Sequence, residues 1–273
     1  MLISCLTVTQ SGRLEELARS VRCFARQTHP ERELVVVHDG ADAFDRDLRS
    51  LLEHFPTERI HIERAAPGTS LGALRNLSLR HARGGLVCQW DDDDLYHPGR
   101  LAAQYGRLVE TGADFCFLTD QLHWFQNTGE FFWDDWNVEP WPMNLIQGTL
   151  LGRHALMPAY PDLGRGEDTP VLQALFESGA KLTGLGGRGC LYIYTYSGNN
   201  AWDLAHHAAI SKWKRLRRGP LEARYDELAH HLRDYELPIA RARFPHDEGE
   251  LIVALGDPGS RSADLSVQEP PGQ

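Results

Sequence analysis

Four aspartates in a row, Asp91 to Asp94, follow directly on the apolar run Leu86 to Trp90. Carboxylates about 4 Å apart repel by roughly 1 kcal/mol in water and by about 4 kcal/mol at an effective dielectric of 20. A divalent cation removes that cost. Carboxylate oxygens suit Mg2+ or Mn2+, which take one or two protein carboxylates together with phosphate oxygens. The run by itself leaves a second reading open, an acidic turn capping the next helix. A second acidic pair, Glu167-Asp168 after Gly166, heads another helical stretch. On the residues alone, such a pair reads as a cap at a helix start.

The elements around these groups decide whether they can meet. Leu2 to Val8, Glu33 to Val37, Arg59 to Glu63 and Leu86 to Trp90 read as strands. They alternate with apolar residues at helical spacing in Leu14 to Phe24, Leu48 to Phe55 and Leu71 to Ala82. Pro98 fits the first turn of a helix whose stripe is Leu101, Tyr105 and Leu108. Such alternation argues for a parallel, doubly wound sheet. Ligands of open α/β sheets bind outside the carboxyl ends of the strands, where the aspartates should therefore stand. The second half is less regular. Ala113 to Phe125 reads as one long strand, Phe131 to Trp141 as irregular, Glu167 to Glu177 as a helix and Cys190 to Tyr196 as a strand. Trp202 to Arg217 and Leu221 to Tyr235 read as helices, and from Gly256 the composition is that of a disordered tail.

The stretch GALRNLSLRHARGGLVCQWDDDDLYHPGRL, residues 72–101, resembles the donor-site region of family 2 glycosyltransferases of the GT-A fold. It carries Arg75-Asn76 opening a helix, the turn Ala82-Arg83-Gly84 into a strand, and a D-x-D-D motif, Asp91 to Asp94, followed by Pro98. The opening CLTVTQSGRLEELARSVRCFARQTHPERELVVVHDG is similar to the family's first strand–helix–strand unit, with His38-Asp39-Gly40 where D-D-G is usual. Gly166-Glu167-Asp168 resembles the family's E-D motif. YTYSGNNAWD, 194–203, resembles Y-x-x-H-G-x-N-T-W, with Ser197 in the place of the histidine and Ala201 in that of the threonine. If that histidine holds metal in relatives, this chain does without it or uses His206 or His207. The resemblance covers roughly residues 2–205.

The resemblance implies an α/β chain with a GT-A Rossmann-like mixed sheet flanked by helices over residues 1–218. Residues 1–98 would be the nucleotide-sugar-binding half and 99–218 the acceptor-binding half. A C-terminal helical extension, 219–255, and a flexible tail, 256–273, would follow. The implied reaction is metal-dependent, inverting transfer of a sugar from a nucleotide-diphosphate donor, a UDP-sugar above all, to the hydroxyl of a glycan, lipid-linked or other acceptor, in glycan or polysaccharide biosynthesis. Thr9, Asp39, Arg75, Asp91, Asp92 and Asp93 would bind the donor. Asp93 and Asp91 would hold Mn2+ or Mg2+, and Asp168 would be the catalytic base. Partial burial, or the neighbouring Glu167, would raise its pKa and make it a better base. Trp133, Asp134, Trp136 and Glu167 are the candidate acceptor-binding residues. Trp faces stack on sugar rings, although core packing explains that aromatic stretch equally well.

Composition sets limits. With 28 Lys and Arg against 38 Asp and Glu, the net charge of −10 gives no general attraction to nucleic acid. Five widely spaced cysteines form no CxxC pair and suit a reduced, cytoplasmic protein. No basic, apolar leader opens the sequence, and no run is long enough to span a membrane. Lys212 to Arg218 is a basic cluster that could rest on an anionic membrane face. GLGGRG, 184–189, has the letters of a dinucleotide fingerprint but precedes a strand, so it reads as a turn. An aspartate-nucleophile phosphatase would want Thr or Val soon after the second aspartate of its first strand. A sugar nucleotidyltransferase would want a basic, glycine-rich loop after the first strand. Neither is present. A degenerate, non-catalytic nucleotide-sugar or glycan binder of the same fold is the remaining alternative.

Overall fold

The computed structural model describes residues 1–55 and 59–256. Seven strands form the first sheet, in the order β10-β6-β9-β4-β1-β2-β3. The strands are β1 (Ile3–Thr9), β2 (Arg32–His38), β3 (Ile60–Arg64), β4 (Leu86–Gln89), β6 (Phe115–Leu118), β9 (Leu151–Arg153) and β10 (Leu182–Leu185). Strands β4, β1, β2 and β3 are parallel, and β9 runs antiparallel between β4 and β6. Connecting helices are α1 (Leu14–Ala25), α2 (Asp42–Leu52), α3 (Leu71–His81) and α4 (Arg100–Thr111). Their apolar stripes bury Leu17, Val21, Phe24, Leu48 and Leu101 against fully enclosed strand residues such as Val36 and Cys88. Continuous burial on both faces is what a parallel sheet between helix layers requires.

A second sheet, β13-β12-β8-β7-β11-β5, stands beside the first. It is built from β5 (Leu95–Tyr96), β7 (Asp120–Phe125), β8 (Glu130–Asp135), β11 (Tyr192–Tyr196), β12 (Arg241–His246) and β13 (Gly249–Ala254). The remaining helices are α5 (Asp168–Glu177), α6 (Leu204–Lys214), α7 (Arg218–Glu222) and α8 (Tyr225–His231).

Three sequence expectations change here. Ala113 to Phe125 is two strands, β6 and β7, which part at Thr119 and enter different sheets. Every residue of both is buried, so no alternation marks the switch. Phe131 to Trp141 begins in a strand: β8 pairs antiparallel with β7 in the register Leu122↔Trp133, and Gly129, at φ +70°, makes the turn. Residues 219–255, expected as a helical extension, end in the β12–β13 hairpin. Ala242, Phe244, Val253 and Leu255 of that region pack into one core with Leu122, Phe131, Trp133 and Ile193. Of the tail expected over 256–273, residues 257–273 lie outside the described residues.

Candidate functional site

A cleft of about 390 Å³ opens where β4 ends and the second sheet begins. All four aspartates line it, but the chain uses them differently. Asp94 is 1% exposed; its carboxylate accepts from the Thr195 amide at 2.9 Å and from the Tyr192 hydroxyl, so it pins β11 to the end of β4. Burial and the charges of Asp93 and Asp91 push its pKa well up. Asp92 is 2% exposed, with one oxygen 3.0 Å from Arg13 Nη1. Its other oxygen, Oδ2, has no partner among the described residues. Burial and Asp93 lift its pKa to about 7, against the pull of Arg13.

Asp91 and Asp93 are partly exposed. Asp93 Oδ2 accepts from Arg13 Nη1 and Asn200 Nδ2, each at 3.0 Å, and Arg13 also reaches the Asn199 carbonyl at 2.6 Å. Asp91 accepts from Arg75 Nη2 at 2.8 Å and from Gln89 at 3.2 Å. Asp91 and Asp93, two part-exposed carboxylates lining one cleft, fit an ion such as Mg2+ or Mn2+, which takes one or two protein carboxylates together with phosphate oxygens.

Arg75 is only 8% exposed and joins two sides of the cleft. It sits on α3, whose N-terminus is capped by Ser70 accepting from the Ala73 amide at 3.2 Å. Its guanidinium bonds Glu167 through Nε and Asp91 through Nη2, over the Tyr160 ring. Glu167 is thus committed to Arg75. Asp168, the first residue of α5, faces the same cleft. Burial and the Glu167 charge raise its pKa to about 6, with Arg75 opposing.

The other expected residues fall in three places. Thr9 and Asp39 stand at the ends of β1 and β2, outside the lining of this cleft. Asp39 accepts from the Gly68 amide at 2.9 Å. Next to it, His38 is fully buried, accepts from the Gly40 amide at 3.2 Å and bonds Asp45 at 3.0 Å. The residue in the place of the first acid of D-D-G therefore shapes the turn.

Trp136 lines the cleft; Trp133 and Asp134 do not. Trp133, 1% exposed, bonds Asp120 at 3.2 Å and lies under Arg224. Gly189 approaches its ring so closely that an added Cβ would stand 2.6 Å from it. Asp134 is fully buried beside His123 and Ser211. Ser197 bonds through its amide to Asn200 Oδ1 at 2.9 Å and so shapes the turn that carries Asn200. His206 lines the cleft, stacked on Trp202 with ring centroids 4.4 Å apart, whereas His207 is fully buried. Arg13, Gln121 and Tyr192 also line the cleft without having been singled out by type or spacing, whereas Tyr194 and Asn200, also in the lining, belong to the motif at 194–203 but were given no role there.

In the basic cluster, Lys214 is buried against Trp136 and paired with Glu139, and Arg218 pairs with Glu222 and Glu248. Lys212, Arg215 and Arg217 remain exposed around Trp213, which is 73% exposed. Among the described residues no helix is long and apolar enough to cross a membrane.

The chain is similar to known proteins. Residues 7–160 match the model of Glycosyl transferase family 2. The uncharacterized glycosyltransferase YwdF of Bacillus subtilis (strain 168) is 29% identical over 115 residues, 42% of this chain and 40% of that protein. The chain thus spans about two-fifths of the length of this curated relative. The crystal structure of S. aureus TarS 1–349 in complex with UDP superposes with a TM-score of 0.55 at 17% identity, over 86% of this chain and 80% of that one. Mannosyltransferase PcManGT from Pyrobaculum calidifontis, in complex with GDP-Man and Mn2+, gives 0.55 at 13% identity, over 86% and 62%. These likenesses show the GT-A fold. With the family model matched over more than half its length, the chain belongs to glycosyl transferase family 2.

Proposed function

We propose that this protein is a metal-dependent inverting glycosyltransferase, moving a sugar from a nucleotide-diphosphate donor to an acceptor hydroxyl in glycan or polysaccharide biosynthesis. The observation that carries this reading is the shared cleft, with Asp91 and Asp93 at the end of β4 and Asp168 at the head of α5, beside the Glu167 that Arg75 ties to Asp91. Asp93 and Asp91 would hold Mn2+ or Mg2+, which when bound neutralises negative charge on a diphosphate. Arg13 and Arg75 add fixed positive charge to the same rim. Asp168 accepts the proton of the attacking hydroxyl at its carboxylate, and its raised pKa improves it as a base near neutrality.

Trp136 and Trp202 offer faces for sugar rings, and Ile146, Met143 and Ile210 keep the lining partly apolar. Asp39 and Thr9 remain the candidates for the nucleotide-base end, and Trp136 and Glu167 those for the acceptor side. A UDP-sugar is the first donor to try, because UDP occupies the TarS structure, with GDP-mannose second after PcManGT. Exposed Trp213 with Lys212, Arg215 and Arg217 supports peripheral contact with an anionic membrane face, where a lipid-linked acceptor would sit. A cytoplasmic setting would supply the nucleotide-sugars.

The test is a thermal-shift panel of nucleoside diphosphates and nucleotide-sugars with and without Mn2+. A ligand bound only by the folded chain stabilises it by about 2.7 kcal/mol at a hundred times its Kd. A Mn2+-dependent shift lost in Asp93→Ala supports the reading. A flat panel rejects it, and a shift without turnover moves it to a non-catalytic binder.

A further inference from the structure

Four basic side chains line the cleft among the described residues, Arg13, Arg75, Arg165 and His206. Two of them are spent on the acids around them. Arg13 gives Nη1 to Asp92 and Asp93 and Nη2 to the Asn199 carbonyl, and Arg75 gives Nε to Glu167 and Nη2 to Asp91. Burial holds the His206 pKa below its usual value, so that ring is neutral near pH 7. Arg165 differs from all three. It is exposed, its Cζ lies 4.7 Å from the centre of the Trp202 ring, and none of its N–H groups reaches an acceptor among the described residues.

Acids stand close by along the chain, but they are taken. Asp162 accepts from the Ser70 hydroxyl, Glu167 from Arg75, and Asp203 caps α6 by accepting from the His206 amide at 2.9 Å. Gly166, at φ +68°, turns the backbone between Arg165 and Glu167, so that one side chain meets Trp202 and the other meets Arg75. A ring interaction engages the flat face of a guanidinium. It leaves the five N–H donors, a planar fork that fits a phosphate or a carboxylate with two bonds at once. In a chain of net charge −10, the cleft thus keeps one cation with no acid of its own.

Position decides which ligand that cation serves. A donor diphosphate would lie with the metal at Asp91 and Asp93, where Arg13 and Arg75 already stand. Arg165 comes three residues before Asp168, the proposed base, and its ring partner Trp202 belongs to the α6 side of the cleft. We propose that Arg165 is a specificity-determining residue that pairs with a negative charge on the acceptor, which is then a glycan bearing a phosphate or carboxylate close to its attacking hydroxyl. That Arg165 holds an anion stands on the geometry alone; that the anion belongs to the acceptor rests on the glycosyl-transfer reading.

The experiment follows the Arg165 side chain by 1H–15N correlation of arginine Nε–H groups, its signal assigned by its absence from Arg165→Lys. UDP with Mg2+ is added first, then glucose 6-phosphate, glucuronate or glucose. The signal should stay in place with UDP and Mg2+, move saturably with a charged sugar and ignore glucose. Whichever charged sugar acts at the lower concentration tells phosphate from carboxylate. Arg165→Met should weaken that sugar about tenfold and leave the Kd for UDP unchanged. Movement with UDP alone, or a weaker UDP in Arg165→Met, gives the cation to the donor and overturns the proposal. No movement with either charged sugar, or an equal response to glucose, also overturns it. The titration is repeated without nucleotide. If no nucleotide binds, the functional reading fails, and a saturable response to a charged sugar still upholds the anion site.

Discussion

With Asp168 as the proposed base, acidification should slow sugar transfer well before it unfolds the protein. Asp168 has its pKa raised from 3.8 to about 6 by burial and by Glu167, with Arg75 pulling the other way. At pH 5 a base of that pKa is ionised in about one molecule in ten, whereas at its ordinary value it would be ionised in about nineteen in twenty. With donor, metal and acceptor saturating, kcat should therefore fall about tenfold between its plateau and pH 5, following the bound enzyme's base. Glu167→Gln sharpens the test. It removes a raising charge and leaves Arg75 nearer to acting on Asp168 alone, so the inflection should move to lower pH. The assay is nucleotide release across pH 4.5 to 8, with nucleotide binding measured in parallel to separate protonation of the donor site. A kcat that stays flat to pH 5, or an inflection that rises in Glu167→Gln, would refute the argument. Asp168→Asn should lose about a hundredfold or more at every pH.

Other expectations follow from the same geometry. Arg13→Met leaves Asp92 and Asp93 without the guanidinium that bridges them, so Mn2+ should bind more tightly in the absence of nucleotide. Manganese electron paramagnetic resonance would measure this, and unchanged affinity would count against it. Arg75→Met strands Asp91 and Glu167 beside an emptied position and should cost about 3–5 kcal/mol in urea unfolding; a loss below about 1 kcal/mol would mean that water replaces the arginine there. His207 has a folded pKa of about 3 against 6.5 when unfolded, so the unfolded chain binds more protons between those values. Its contribution is present above pH 6.5 and is lost as pH falls, by about 2 kcal/mol at pH 5. His207→Gln should show that much less acid destabilisation over the same interval, and parallel curves would exclude the group as the cause.

Much of this was legible in the chain. Alternation of apolar runs located β1 to β4 and their helices, and the place of the aspartates after β4 followed from that layout. What escaped had physical reasons. The division of Ala113 to Phe125 carries no mark because both strands are buried on both faces. The β12–β13 hairpin did leave a signal, since Arg241 to Phe244 alternates exposed and buried, but it follows helical residues and is short. Trp133 and Asp134 look like sugar-binding types, yet residue type says nothing of which face of β8 a side chain takes. Arg13 and Asn200 reach the aspartates across 80 and 107 residues of sequence, a closeness that only the fold creates.

The join between the second sheet and the C-terminal hairpin also bears on how this protein comes to be active in a cell. The chain grows from its N-terminus, and residues 1–185 contain every strand of the first sheet, with Asp91, Asp93, Arg75 and Asp168 among them. Tyr192, Tyr194 and Asn200 come later, on the sheet whose hydrophobic core is closed by Phe244, Val253 and Leu255. Most of the cleft lining is thus synthesised before the wall that Tyr192, Tyr194 and Asn200 provide. The last described strand to emerge completes the layer on which that wall rests, so the wall should be the last part of the cleft to become firm, and a version cut at residue 218 would carry its residues without the Phe244, Val253 and Leu255 side of their core.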